Sequence, residues 1–385
     1  MTSLPVLDCP VCDTELPEPF YAISGIPVHC NVLWPSAAEA VQAPQGDMLL
    51  SRCSRCGLIH NVSFDPRLVE YAPGYENSLH CSPRFQDYAR DLVDHLVERY
   101  GLRGRLVAEI GCGRGEFLSM LHEQGGALGL GFDPSHDGNG GPGFEVVREI
   151  YAPSVHGALP ADLVCVRHVL EHVAHPRQLL ADVREGLGAG SHAAVYVEVP
   201  DATYTFRDLG IWDLIYEHCS YFSTPAMDAL LRRTGYRPDR SWTEFGGQFL
   251  CVEAEAAAEP SAPAGSGHAL ESDVRAFPAR ASEKIDRWNS LLDQLVGSGR
   301  RVAVWGAGSK GTTFLNLLEA GRDVEQVVDI NPRKAGRHIP GTGQRVVTPD
   351  EMEPPDVVIV MNPEYRVEIG DLLGARAISA ELLVA

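Results

Sequence analysis

The stretch Leu106-Val-Ala-Glu-Ile-Gly-Cys-Gly-Arg-Gly-Glu-Phe117 decides how this chain is read. Val107, Ala108 and Ile110 form a short apolar run, the pattern of a strand buried on both faces. Gly111, Gly113 and Gly115 then free the backbone for a tight turn and for close approach to a ligand. Glu116 and Phe117 open a helix. Glu109 is the informative residue. A dinucleotide or nucleoside triphosphate site sets phosphate at the helix N-terminus, where a carboxylate would repel it. A carboxylate at that turn suits a cationic ligand instead. An ordinary strand-turn-helix of an α/β enzyme remains the alternative on this stretch alone.

The residues downstream continue the pattern. Ala127-Leu-Gly-Leu-Gly-Phe-Asp133-Pro134 reads as a second strand ending in an acid, at a spacing suited to a ribose diol. Asp162-Leu-Val-Cys-Val-Arg167-His168-Val-Leu-Glu171-His172 is a third strand running into a polar turn, and Ala193 to Pro200 is a fourth. Gln178–Leu187 has helical periodicity between them. Alternating strands and helices predict a mostly parallel sheet with ligands at its carboxyl edge. His168, His172 and His175 stand at that edge, where a satisfied turn role and a catalytic role are both open. An acid followed by Gly-x-Gly-x-Gly resembles motif I of the class I S-adenosylmethionine (SAM) methyltransferases.

Composition bounds the rest. A chain of 385 residues has room for about two or three domains. The formal net charge of -20 argues against a nucleic-acid or anionic-membrane partner. The first residues lack the basic and apolar regions of a signal peptide, and no apolar run approaches the ~18 residues of a membrane span. A cytoplasmic protein is expected. Ten cysteines in that setting point to metal binding or buried thiols before disulfides.

Cys9-Pro-Val-Cys12 and Cys53-Ser-Arg-Cys56-Gly57 are two Cys-x-x-Cys knuckles, and together they complete a tetrahedral four-thiolate site for structural zinc. A redox pair, or a ligand drawn from Cys30, His29 or His60, is the competing reading. Residues 64–82 are a polar connector carrying Tyr71, Tyr75, Glu76, Asn77 and Ser78, either a surface loop or a lid. Phe85, Tyr88, Ala89, Leu92, Leu96 and Tyr100 recur at helical spacing, so 83–100 is an amphipathic helix. Further on, Tyr216-Glu217-His218-Cys219-Ser220-Tyr221-Phe222 joins potential acid–base groups, or forms an aromatic turn on the sheet edge. Thr224–Gly235 reads as a helix and Gln248–Glu253 as a closing strand. Residues 254–268 are a linker. Ile285, Trp288, Leu291, Leu292 and Leu295 mark one face of the helix that follows.

Arg301-Val-Ala-Val-Trp305-Gly306-Ala-Gly308-Ser309-Lys310-Gly311 opens a second strand-turn-helix unit containing Gly-x-Gly-x-x-Gly, with Asp329 at the distance of a ribose-binding acid. Too few residues remain for a full dinucleotide fold with its own substrate domain. The turn reads as a local anion site, with Lys310, Lys334 and Arg337 near one sheet end. The expected organisation is a zinc module and lid over 1–82, a SAM-binding domain over 83–255, a linker and helix over 256–298, and a small Rossmann-like α/β domain over 299–385.

In this order the parts resemble the zinc-containing, SAM-dependent C-methyltransferases of nucleotide-linked 4-keto-deoxy sugars, enzymes of deoxysugar and antibiotic biosynthesis. The resemblance rests on Cys9/Cys12/Cys53/Cys56, Tyr71 to Ser82, Glu109 to Gly113, Glu217-His218-x-x-Tyr221-Phe222-Ser223, Trp305 to Asn316, Val328 to Gly336 and Ile339-Pro-Gly341. It implies a class I methyltransferase sheet flanked by the zinc module and the Rossmann-like tail. It implies SAM held by Glu109, Gly111, Cys112, Gly113, Gly115, Asp133, Pro134, Arg167 and His168. It implies His218 as the base, Glu217 orienting it, and Tyr75 and Tyr216 bonding an enolate oxygen. Lys310, Ser309, Asn316 and Asn331 would hold the nucleotide-sugar, and the chain would work as a monomer or weak homo-oligomer. The family's Tyr-His-Glu-His is one residue shorter here, and Gly308-Ser309 replaces its usual Pro-Ala. A non-sugar metabolite as acceptor, an NAD(P)-dependent oxidoreductase and a non-catalytic zinc module are the other readings.

Overall fold

The computed structural model describes residues 7–69, 78–263 and 267–385. Leu106–Ile110 is the first strand of an eight-stranded sheet. Its parallel neighbours are Leu128–Phe132 and Leu163–Arg167. Phe144–Val147 continues the sheet beyond Leu128–Phe132, and the two-residue strand Gly140–Gly141 closes that edge. On the other side Ala194–Pro200 follows Leu163–Arg167 in parallel. Phe249–Ala256 pairs antiparallel with Ala194–Pro200, and Tyr236–Glu244 completes the hairpin. Counted from Leu106–Ile110, the seven longer strands stand in the order 3-2-1-4-5-7-6 with strand 7 reversed. That is the sheet of the class I SAM methyltransferases.

Local chemistry explains the elements. Leu163–Arg167 is buried at every position, as expected of a central strand flanked by helices on both faces. The predicted helix over 83–100 is Pro83–Tyr100, capped by the Ser82 side chain on the Phe85 N–H and ended by left-handed Gly101. The strand Phe144–Val147 was not anticipated from the sequence, because Gly138, Gly140, Gly141 and Gly143 interrupt any periodicity before it.

Two smaller sheets flank this one. Tyr21–Pro27, Gln45–Arg52 and Ile59–Asn61 form an antiparallel sheet whose fourth strand, Ser220–Tyr221, comes from the segment after Pro200. The N-terminal module is thus completed by a distant part of the chain. Near the C-terminus five parallel strands, Val302–Trp305, Gln326–Val328, Val346–Val347, Val357–Val360 and Glu381–Val384, stand in the order 3-2-1-4-5. One hydrophobic core joins the two flanking sheets, running from Met48, Leu50 and Ile59 through Phe206, Trp212 and Phe277 to Phe314, Val304 and Ile359.

Phe277 lies on the helix Glu271–Gly297, which spans the expected Ile285–Leu295 face. Its ring meets Phe20, Tyr21 and Phe206 at centroid distances of 6.4, 5.0 and 4.9 Å. The side chain is fully buried, so Phe277→Ala removes a large aromatic and leaves a cavity between three elements. Chemical denaturation should show a loss of about 3–5 kcal/mol, whereas truncation of the exposed Val367 should change little.

Candidate active site

A cavity of about 690 Å³ lies where the carboxyl ends of the parallel strands of the eight-stranded and five-stranded sheets face each other. Gly111, Gly113, Asp133 and Arg167 line one wall, and Gly306, Ser309, Lys310 and Asn331 line the other. In each sheet the strand order reverses between strands 1 and 4, so both switch points open on the same space.

The first wall is built by the Leu106–Ile110 turn. Gly111 has φ +71°, and a Cβ there would stand 2.3 Å from the Val169 side chain, so glycine is required. Gly113 has φ +53° with open space beside it, which lets a ligand approach the backbone. Its N–H donates to Asp133 Oδ2 at 2.7 Å, while Asp133 Oδ1 accepts from the Ser135 N–H and hydroxyl at 2.8 and 2.6 Å. Glu109 is buried, with Oε1 4.0 Å from Arg167 Nη1. Among the described residues its Oε2 has no hydrogen-bond partner. Burial drives its pKa up to about 7 although Arg167 opposes the rise. A buried carboxylate with a spare oxygen fits the ammonium end of SAM.

Arg167 and His168 act through Glu198, a residue the sequence reading did not single out. Its only sequence signal is a lone acid in the apolar strand Ala194–Pro200. Glu198 accepts from Arg167 Nη2 at 2.9 Å and from the hydroxyls of Tyr88 and Tyr196 at 2.5 and 2.7 Å. His168 Nε2 lies 2.8 Å from the same carboxylate. Burial would raise the Glu198 pKa, but Arg167 and His168 outweigh it and hold the group ionised. His168 responds in kind. Burial lowers its pKa, and contacts to Glu171 and Glu198 more than reverse this, to about 9. The Arg167 guanidinium also covers the Phe117 ring at 4.0 Å. Cys112 and Pro134 line the cavity, whereas Gly115 caps the following helix.

His218 stands between the walls. Its ring keeps a backbone hydrogen bond with Asp213, and its buried Nδ1 has no partner among the described residues. Burial, then the neighbouring His172 and His168, hold its pKa well below the usual histidine value, so the ring is neutral. Glu217 does not orient it. The Glu217 carboxylate turns to the N-terminal module, accepting from the Cys30 N–H at 2.9 Å and lying 3.4 Å from His29 Nδ1. Its backbone carbonyl instead accepts from His172 Nδ1 at 3.1 Å. Tyr216 is buried outside the cavity lining, with its hydroxyl accepting from the Asp65 N–H at 2.8 Å. Tyr75, with Tyr71, Glu76 and Asn77, lies outside the described residues.

The second wall repeats the device of the first. The Ala307 N–H donates to Asp329 Oδ2 at 2.8 Å and the Asn331 N–H to Oδ1 at 2.9 Å. Lys310 Nζ lies 2.9 Å from Asp213 and donates to Gln248 Oε1 at 2.6 Å, across the join between the sheets. Lys334 Nζ pairs with Asp329 at 3.2 Å. Both lysines are therefore balanced internally, and neither is the free anion receptor their spacing suggests. Ser309 and Asn331 line the cavity; Asn316 does not, and its amide secures Thr312 and Pro340 carbonyls at 2.8 and 2.9 Å. Apart from these walls, the buried thiols of Cys9, Cys12, Cys53 and Cys56 converge, with 3.5 Å between Cys9 and Cys56 and 3.4 Å between Cys12 and Cys53.

Comparison with known proteins agrees with this geometry. Residues 84–240 match the family model described as a methyltransferase domain. The chain carries a methyltransferase domain. Residues 265–377 of the methyltransferase match the model of a C-methyltransferase C-terminal domain, which includes the Gly306 turn. No curated protein matches the chain. Among solved structures, it is similar to N,N-8-amino-8-demethyl-D-riboflavin dimethyltransferase from Streptomyces davawensis, at 19% identity and TM-score 0.37 over 45% of this chain and 56% of that one. It is also similar to magnesium protoporphyrin IX methyltransferase from Synechocystis PCC 6803 with bound S-adenosylhomocysteine, at 18% identity and TM-score 0.37 over 49% and 91% of the two chains. The match to the riboflavin-analogue enzyme spans little more than half of its length.

Glu109 gives the methyltransferase a testable pH dependence. With the folded pKa near 7, the carboxylate is protonated below that pH and must lose its proton to pair with a cation. SAM affinity measured by calorimetry should therefore fall by about tenfold per unit as pH drops below about 7. Glu109→Gln should flatten that profile and weaken binding at neutral pH.

Proposed function

We propose that this methyltransferase transfers a methyl group to a carbon beside the ketone of a nucleotide-linked 4-keto-deoxy sugar. One observation carries the reading: a single cavity runs from the Glu109 turn, past the Nδ1 of His218 that has no partner among the described residues, to the Gly306 turn. The C-methyltransferase model over 265–377 supports methylation at carbon.

When bound, SAM supplies an electrophilic methyl group. Glu109 and the Gly111–Gly113 backbone orient that cofactor, and Asp133 is preset for its ribose. His218 Nδ1 takes the proton from the carbon next to the ketone. The ring is neutral, so its lone pair is available without prior deprotonation. Charge then develops on the ketone oxygen. Lys310, which lines the same cavity and whose positive charge reaches His218, stabilises it electrostatically. Gly306, Ser309 and Asn331 offer the nucleotide end a polar cradle. Holding both reactants in one pocket supplies orientation.

The pairing of Lys310 with Asp213 and of Lys334 with Asp329 favours a second reading, in which the acceptor is a less anionic, non-sugar metabolite. Hydrogen exchange at the α carbon separates the two. With S-adenosylhomocysteine present, a 4-keto nucleotide-sugar should take up solvent deuterium on the wild-type enzyme. His218→Ala should slow that exchange by about 10²–10⁴-fold while keeping SAM affinity. No exchange on any keto-sugar would discard the sugar and leave the second reading.

The four thiols are assigned to a structural zinc. Two knuckles supplying four buried sulfurs form a closed set with no open position for chemistry. Elemental analysis should find one zinc per chain attributable to it. Cys53→Ser with Cys56→Ser should lose that zinc and lower the unfolding temperature, with the active-site residues unchanged.

A further inference from the structure

Three side chains at the acceptor end of the cavity are arranged beyond what proton abstraction requires. Glu171 is 2% exposed, and among the described residues neither of its carboxylate oxygens has a hydrogen-bond partner. The nearby cation is His168, whose Nδ1 stands 3.5 Å from Oε1. His172 Nδ1 lies 3.1 Å from the Glu217 backbone carbonyl. A carbonyl only accepts, so Nδ1 carries the proton and the lone pair is on Nε2. His218 keeps its bond to the Asp213 backbone while its buried Nδ1 has no partner. One ligand atom from each of the three lies within 4.8 Å of the other two, and all three residues line the cavity.

A base needs one lone pair. Here two imidazoles, each tied to backbone, converge with a buried carboxylate that has His168 as its cationic neighbour and, among the described residues, no hydrogen-bond partner. A backbone carbonyl on the far ring nitrogen is the usual partner of a metal-binding histidine, because it fixes tautomer and ring direction. We propose that Glu171, His172 and His218 form a second metal site, taking a first-row divalent cation such as zinc, cobalt or nickel. Two nitrogens and one oxygen select these ions over magnesium or calcium, which require oxygen ligands. Metal–ligand bonds of about 2.0–2.2 Å would draw the three atoms closer together. Glu198 and Glu171 offset the charge of His168 beside the site, and Asp213 offsets that of Lys310. The remaining positions on the ion would open to the cavity. The consequence rests on the function proposed above: a cation on His218 Nδ1 occupies the electron pair that accepts the proton, so its binding stops enolisation.

The test is a calorimetric titration of zinc into the full chain with its four-cysteine site already loaded, repeated with cobalt and followed by absorption. Wild type should bind one further equivalent. Glu171→Gln and His172→Asn should each weaken it by more than about tenfold, with the first zinc and the unfolding temperature retained as evidence of folding. Saturation at the cysteine site alone would overturn the proposal. So would a further equivalent that survives both substitutions, because this acidic chain can then be holding the ion on exposed carboxylates. In the deuterium-exchange assay, added zinc should abolish exchange, a chelator should restore it, and magnesium should have no effect. The two readings fail separately. Exchange lost in His218→Ala without a second equivalent overturns the metal site alone; a second equivalent with exchange intact overturns the base alone.

Discussion

A carboxylate with no exposure to water must find its solvation in the protein, and Glu198 finds it in four side chains. Arg167, His168, Tyr88 and Tyr196 surround it, drawn from three different elements. Loss of one partner of such a buried pair typically costs about 3–5 kcal/mol, because the other charge is stranded. The arrangement is therefore rigid, and the Glu109 side of the cavity hangs from it. Arg167, fixed by Glu198, is the cation that tempers Glu109. His168, fixed by the same oxygen, is the cation beside Glu171. The helix Pro83–Tyr100 is docked through Tyr88. One interior ion cluster thus sets the electrostatics of the Glu109 wall and of the Glu171 end of the cavity together.

The second organising feature is a device used twice. In each of the two sheets that face the cavity a glycine turn follows the first parallel strand, and an aspartate at the end of the second accepts a backbone N–H from that turn. Gly113 with Asp133 and Ala307 with Asp329 have the same geometry to within 0.1 Å. The bond fixes the turn before any ligand arrives, so neither turn needs reorganisation on binding. The difference lies in the charges alongside. Glu109 places a buried carboxyl at the first turn, with Arg167 beside one oxygen and the other without a hydrogen-bond partner among the described residues, suited to a cation. At the second turn Lys310 and Lys334 are each paired with an aspartate, which leaves no lysine there as a free anion receptor, although the charge of Lys310 still acts on His218.

What was legible in the sequence follows from how local each cause is. The strand and turn over 106–115, the helix over 83–100 and the four cysteines depend on periodicity, glycine and fixed spacing, all visible within a few residues. Glu198 and Asp213 were not legible, because their meaning comes from partners far away along the chain. Glu217 shows the same point from the other side. Adjacent to His218 in sequence, it has its carboxylate on the opposite side of the chain, toward Cys30 and His29. Sequence neighbours in an irregular segment need not share a face, and the strand Ser220–Tyr221 pulls this segment into the N-terminal sheet. The lysines near the second turn were readable as basic, but only their contacts show them paired.

That pairing bears on what the cavity can accept. The chain is strongly acidic, yet Arg167, His168, Lys310 and Lys334 are all gathered at or beside the cavity, the first two against Glu198 and the lysines against Asp213 and Asp329. Lys310 and Asp213 come from opposite sides of the join between the sheets, and Gln248 binds both Lys310 and Asn362 there. An anionic acceptor entering from the C-terminal side would compete with Asp213 for Lys310 and so act on the contact that holds the two walls together. A neutral acceptor would leave that contact intact. The position of Lys310 therefore couples recognition of the acceptor's charge to the spacing of the walls between which His218 stands.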